Sequence, residues 1–289
     1  MIRAANTRSI ALATALLVLC PARLAACTLW AAVNEGSAGG TLLSKNRDWR
    51  PDHRQALRLV HPGQGLAYLG LFAEDGSDPG LKAGVNEKGL SIVSASTNIP
   101  KKLLADQPGR HGVMRRILAG YGCVDALAAD APKLFSQARA SFFLVADRRK
   151  LLVAEVGLGG RFSLEVIEAG TAAHTNHFLD PRLAAACNAR IGASSARRLA
   201  RIGELLAQAG KPFTLAQFAA MSRDRHDGPD DSLWRSGREH TLASWIVDSP
   251  LAGPPRLRVV IANPGEAEET REFDLDEGFW RRERLDAAP

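Results

Sequence analysis

The chain has 289 residues, 46% hydrophobic and 24% charged, which suits one large globular domain or two small ones. No apolar run of ~18 residues occurs beyond the N-terminus, so the body of the chain is not expected to cross a membrane. The net charge is +6, but Arg3, Arg8 and Arg23 precede Cys27 and no acid does, so only half of that excess lies on the rest of the chain. Aromatic residues are few and no basic stripe is interleaved with them, which argues against a nucleic-acid partner.

Residues 1–26 have the parts of an export signal. Arg3 and Arg8 give a positive start, residues 9–20 (SIALATALLVLC) an apolar run, and Leu24-Ala25-Ala26 the small residues before a cut. A buried helix would instead need a polar stripe, which residues 10–19 lack. The expected division is a signal peptide over 1–26, a single domain over 27–280 and a polar tail over 281–289.

Residues 28–34 read as a short apolar strand. A glycine-rich turn follows, and 41–49 (TLLSKNRDW) runs back beside the first strand, a hairpin that brings Lys45, Asn46, Arg47 and Asp48 toward Cys27. Strands are expected at 55–60 and 66–72, a tight turn over 83–90 (AGVNEKGL), and a strand over 90–96. Helices follow at 110–120 and 124–129, with Pro132 opening another. Residues 140–147 and 151–156 form a second hairpin, and 162–168 a further strand. Beyond His177 the chain turns helical. Ser194 or Ser195 can cap a helix to Gln208, and Thr214 with Gln217 has capping-box spacing for the next. Residues 222–240 read as a surface loop, and 241–248, 257–261 and 270–275 as late strands. Short connections between strands predict an α+β fold with mainly antiparallel sheets and helices packed outside.

Known phosphate-loop, dinucleotide, HExxH and GxSxG patterns are absent. His174 and His177 have no matched acid or cysteine nearby in sequence, so no metal and no cofactor is expected. The cysteines are Cys20, Cys27, Cys123 and Cys187. Export would remove Cys20; a bridge between Cys123 and Cys187 is left open, and Cys27 is then the odd thiol. A thiol with a pKa of ~8.5 needs a base or a cation beside it to react near neutrality. An N-terminal cysteine carries its own base, because an α-amine titrates at ~7.7–8.0 and is covalently held near the sulfur. Cleavage before Cys27 would supply that arrangement.

At this point the residues resemble a known family, the cysteine N-terminal-nucleophile (Ntn) hydrolases of the choloylglycine hydrolase, penicillin V acylase and acyl-CoA:6-aminopenicillanic acid acyltransferase (peptidase C45-like) kind. Cys27-Thr28 is similar to the family's start. LLSKNRDW (42–49) resembles its second-strand motif, GVNEKGL (84–90) its turn, and TNHF (175–178) its asparagine motif. Segments 222–227, 232–235 and 240–244 follow its C-terminal pattern. The resemblance implies a four-layer αββα sandwich with two mainly antiparallel sheets. It also implies that Asp48 hydrogen-bonds and orients the Cys27 amine, that Asn176 donates to the oxyanion, and that Asn98 supplies a second contact or lines the pocket. Asn86 and Gly89 are better explained by the turn itself. Lys45 stands where much of the family has arginine, as electrostatic support for the thiolate, with Arg47 sharing its strand parity; Arg235 and Arg238 are late arginines available to the site.

The implied activity is hydrolysis of the C–N bond of a small, linear N-acyl amide through a Cys27 thioester, by an exported, periplasmic or secreted enzyme, with acyl transfer to an amine as an alternative outcome. A homo-oligomer is left open. Two other readings stand beside this one. Leu24-Ala25-Ala26-Cys27 also fits a lipoprotein signal, in which case Cys27 is lipid-anchored and its amine consumed. The chain could also be a non-catalytic binding protein on the same fold.

Overall fold

The computed structural model describes residues 27–36, 39–74 and 79–285. The expected export signal and its cleavage site lie outside the described residues. In chain order the elements are β1 (Cys27–Val33), β2 (Thr41–Trp49), β3 (Gln55–Val60), β4 (Tyr68–Ala73), β5 (Gly80–Asn86), β6 (Ser91–Ala95), α1 (Lys101–Asp106), α2 (Val113–Gly120) and α3 (Val124–Phe135). Then come β7 (Ser141–Ala146), β8 (Leu151–Val156), β9 (Phe162–Ile167), β10 (Gly170–His174), α4 (Pro181–Ala186), α5 (Ala193–Gln208), α6 (Leu215–Ser222) and α7 (Gly228–Asp231). The last are β11 (His240–Ser249), β12 (Arg256–Ile261), β13 (Glu269–Asp274) and α8 (Glu277–Trp280).

Among the described residues the strands form two sheets. One has the order β10-β1-β2-β11-β12-β13 and the other runs in sequence from β3 to β9. Every pairing is antiparallel. Strand alternation assigns each side chain to a layer. Leu29, Ala31, Val33, Leu43, Trp245 and Val247 of the first sheet meet Leu69, Val85, Val93, Phe142 and Leu144 of the second in a buried inter-sheet core. The opposite parity of the first sheet, Trp30, Ala32, Leu42 and Ile246, packs on Ile202 and Leu206 of α5 and on Phe218 and Met221 of α6. Ile92, Phe143, Val145 and Leu152 of the second sheet pack on Ile117 and Leu118 of α2 and on Leu127 and Phe135 of α3. The result is helix, sheet, sheet, helix, an α+β sandwich. Because both faces are covered, β1 and β4 are buried along their whole length, which is why they read as unbroken apolar runs rather than as alternating ones.

The structure differs from the sequence reading at several elements. The turn expected from Ala83 is confined to Asn86–Gly89, and β5 takes the residues before it. Gly80 and Gly84 hid this strand, since glycine weakens a strand interior. Gly84 has a packing reason: a Cβ there would lie 2.5 Å from Leu118 Cδ1 of α2. Asn86 locks the turn, accepting from Lys88 N and Leu90 N and donating to Leu118 O and Tyr121 O of the α2 end. Pro132 does not open a helix but lies within α3, where burial of Ala131, Leu134 and Phe135 offsets the lost backbone bond. Residues 170–174 carry no alternation and were assigned no element; they form β10, which pairs with β1. Within the expected polar tail, Leu285 is buried against the inter-sheet core. Among the described residues no helix is long and apolar enough to cross a membrane, and Cys123 and Cys187 are free thiols, one exposed and one buried.

Candidate active site

Cys27 opens β1 at one end of the first sheet, with Arg47 of β2 opposite it in register. It shares the parity of Leu29, so its side chain belongs to the inter-sheet side. There it is 2% exposed yet lines a cavity of about 480 Å³, together with Lys45, Arg47, Lys82, Ser94 and Ser96.

The Cys27 main-chain nitrogen, an amide in the uncleaved chain, donates to Asn176 Oδ1 at 3.0 Å. The same oxygen accepts from Arg198 Nη2 at 2.9 Å. Arg198 Nη1 donates to Cys27 O at 2.7 Å and to Thr28 Oγ1 at 2.9 Å. Two donors thus turn the Asn176 oxygen toward Cys27, and its Nδ2 faces the other way, onto Ser96 O at 2.9 Å. An amide nitrogen carries two hydrogens, so one remains after that bond.

A buried polar framework fixes Asn176. Its main-chain N–H donates to Ser195 Oγ at 2.9 Å, and His177 Nδ1 lies 2.8 Å from the same oxygen. Ser195 therefore does not cap α5 as its sequence position suggests; Gly192 stands at the cap, and the serine faces the Asn176 loop. Before Asn176, His174 Nε2 lies 2.8 Å from Glu155 Oε1, and the Glu155 carboxylate also accepts from Leu179 N and Asp180 N. Burial raises the pKa of Glu155, but these three donors more than offset it, and the carboxyl sits below its usual range. Among the described residues no group of three His, Cys, Asp or Glu is placed to hold a metal ion.

Asp48 is fully buried on the opposite parity, the side that faces Arg198. Its Oδ1 accepts from Thr241 Oγ1 at 2.7 Å, and its Oδ2 has no hydrogen-bond partner. Burial pushes Asp48 up to about 7, against the charges of Arg235 and Arg198 and the Thr241 bond. In the unfolded chain the same carboxyl titrates near 3.8. Between those values the native chain holds a proton that the unfolded chain has lost, so stability falls as pH rises from about 4 to about 7. At one pKa unit per 1.36 kcal/mol this amounts to about 4 kcal/mol in the uncleaved chain. Asp48→Asn is expected to flatten that part of the stability profile, measured as urea midpoints across pH; an unchanged slope would show that Asp48 is not the group responsible.

The expected site residues are partly brought together. Cys27 and Asn176 are in direct contact. In the uncleaved chain the single Cys27 N–H goes to Asn176, while the Asp48 carboxylate lies on the helix side with Oδ2 open; Cys27 Sγ lies 4.0 Å from Asp48 O. Lys45 lines the cavity and donates from Nζ to Lys82 O, at 3.1 Å, and to Ser94 O. Arg47, not Lys45, is the register partner of Cys27; it reaches Asp48 O at 3.3 Å and lies 4.5 Å over the Trp49 ring. Asn98 is a correction. Beyond β6 the chain loses its alternation, and Asn98 Nδ2 turns to Arg190 O at 3.3 Å, leaving Ser96 and Thr97 on the cavity. Arg235 does not line the cavity; it pairs with Glu239 and holds Thr241 through its main-chain N–H at 2.8 Å. Arg238 is exposed beside Asp230.

Arg198 was missed. The available signal was a cation on an apolar stripe: Ser195, Arg198, Ile202 and Leu206 recur at helical spacing and form the buried face of α5. Burial lowers the pKa of this guanidinium from its ordinary value, with Asp48 and Cys27 among the groups that counter the shift.

The family model described as acyl-coenzyme A:6-aminopenicillanic acid acyl-transferase matches residues 34–264, beginning just after Cys27. This chain belongs to that family. The family member has the Ntn-hydrolase fold, and its structure is similar to that of a mutant conjugated bile acid hydrolase from Clostridium perfringens, at 11% identity and a TM-score of 0.52, covering 85% of this chain and 92% of that one. A Caenorhabditis elegans ortholog of N-acylethanolamine-hydrolyzing acid amidase aligns at 15% identity and a TM-score of 0.52, covering 76% and 92%. A second variant of the Clostridium perfringens hydrolase aligns at 13% and 0.51, covering 86% and 92%. No curated protein sequence matches.

Proposed function

We propose that the chain is exported, that removal of residues 1–26 leaves Cys27 first, and that it then hydrolyses the C–N bond of a small N-acyl amide through a thioester on Cys27. The observation that carries this reading is the convergence on Cys27. Its nitrogen is held by Asn176 and its carbonyl by Arg198, and its side chain lines a cavity. Behind it stands a buried carboxylate with one unmatched oxygen.

In the processed chain the α-amine takes the thiol proton and the sulfur attacks the amide carbonyl. The second Nδ2 hydrogen of Asn176 is the side-chain donor for the oxyanion, a contribution of ~3 kcal/mol where such a donor is preorganised. The ammonium then protonates the leaving nitrogen as the C–N bond breaks. Water, deprotonated by the same amine, cleaves the thioester to the acid; an amine in its place gives acyl transfer. The open oxygen of Asp48 is the acceptor for the ammonium, whose charge would draw the Asp48 pKa back down. Burial of Cys27 in the inter-sheet core suits a nucleophile better than a lipid anchor.

Intact mass, N-terminal sequencing and thiol alkylation of the exported protein test this. The expected result is an N-terminal Cys27 with an alkylatable sulfur, and loss of amide hydrolysis in Cys27→Ser. A diacylglycerol-modified Cys27, or a serine variant with full turnover, would overturn it.

A further inference from the structure

We propose that the amide taken by this site carries an anionic group, a carboxylate, sulfonate or phosphate, and that arginines at the exposed edge of the Cys27 cavity receive it; the inference rests on the amidohydrolase reading above. Arg110, Arg115 and Arg139 line the cavity on its exposed side, with His111 Nε2 3.5 Å from Arg139 Nη1. Lys45 and Lys82 line its buried side. No Asp or Glu is among the described residues of that lining.

Many other surface arginines differ in this respect. Arg58, Arg201, Arg223 and Arg258, like many others, pair with acids. Among the described residues none of the three edge arginines has an acidic partner; Arg115 rests instead 5.7 Å from the Phe72 ring centre. Their clustering is also fixed by the backbone. Arg110 N donates to Gln137 O at 2.7 Å and Arg139 N to Arg110 O at 3.1 Å, which ties the two segments together. Gly109 permits that approach: its φ is +63°, and a Cβ there would meet Arg139 N at 2.7 Å. Like charges held together in a cleft raise the local concentration of anions, and guanidinium groups bind oxyanions in a two-pronged geometry. Leu81 and Phe143 on the same lining offer apolar contact to the hydrocarbon part.

The test uses the processed enzyme and two matched pairs. N-decanoylglycine against N-decanoylglycinamide places the charge on the amine side; glutaryl anilide against pentanoyl anilide places it on the acyl side. At least one anionic member is expected to exceed its neutral partner ~30-fold in kcat/KM. That advantage should shrink between ~50 and ~500 mM salt, and the double variant Arg110→Gln/Arg139→Gln should reduce it to a few-fold. The pair that responds identifies the charged end. Equal turnover within both pairs overturns the anion inference and leaves the hydrolase reading standing. No turnover of any of the four by protein with an N-terminal, alkylatable Cys27 counts against the hydrolase reading instead. Calorimetry on Cys27→Ala then decides the anion: tighter binding of decanoylglycine than of its amide supports it, and equal affinity overturns it.

Discussion

A chain with an uncleavable Gly-Ser extension ahead of Cys27 is expected to hydrolyse amides about 10³-fold more slowly than the processed chain, the range in which a positioned general base acts. The sulfur and the cavity are the same in both. The difference is the Cys27 nitrogen, which in the extended chain is an amide with no basic lone pair. Its one hydrogen is given to Asn176 Oδ1, and among the described residues no histidine is a hydrogen-bond partner of Cys27. His174 and His177 face Glu155 and Ser195, and His53 is engaged with Asp52 and Arg47. The extended and processed proteins should have near-equal melting temperatures, so a fold defect is separable from a missing base. Turnover by the extended protein at the processed rate would mean that another group deprotonates the thiol, and the Ntn reading would fail while a cysteine hydrolase survived.

Much of the fold was legible in the sequence. The hairpin of residues 28–49 was readable from an apolar first strand, a glycine-rich turn and a second run returning beside it, while the register that sets Arg47 opposite Cys27 came from the structure. The four-layer arrangement followed from motif resemblance rather than from pattern, since strands covered on both faces lose the alternation that would reveal them. The misses have a common cause. Thr241 as the partner of Asp48, and Asn176 as the partner of the Cys27 N–H in the uncleaved chain, were not foreseen. Asn98 was placed at the site by resemblance to the family, but it lies beyond the end of β6 and its amide turns to Arg190 O. Ser195 was read as a cap from local spacing, whereas a partner 19 residues earlier in the chain takes its oxygen. Local rules located the elements; the partners of buried polar atoms came from distant segments that no local rule pairs.

Arg198 is the sharpest instance, and Arg198→Met is expected to cost about 3–5 kcal/mol of stability, the range for removing one member of a buried charged network. Methionine can fill much of the space but donates nothing. Cys27 O, Thr28 Oγ1 and Asn176 Oδ1 would each lose a donor in a site without solvent, and buried Asp48 would lose one of its two nearby guanidinium charges. Arg198→Lys keeps a charge but not the planar fork that spans three acceptors on two segments, so it should recover only part of the loss. A purely structural role predicts that whatever fraction remains folded turns over normally. A positioning role predicts more: with its second donor gone, the Asn176 oxygen is held by Cys27 alone, and kcat of the folded fraction should fall at least tenfold with KM little changed. Urea midpoints with an unchanged m-value, together with active-site titration of the remaining thiol, separate the two. The geometry favours the second outcome, because the guanidinium that spans Cys27, Thr28 and Asn176 ties the first residues of β1 to the loop that carries the proposed oxyanion donor, and among the described residues no other side chain bonds both.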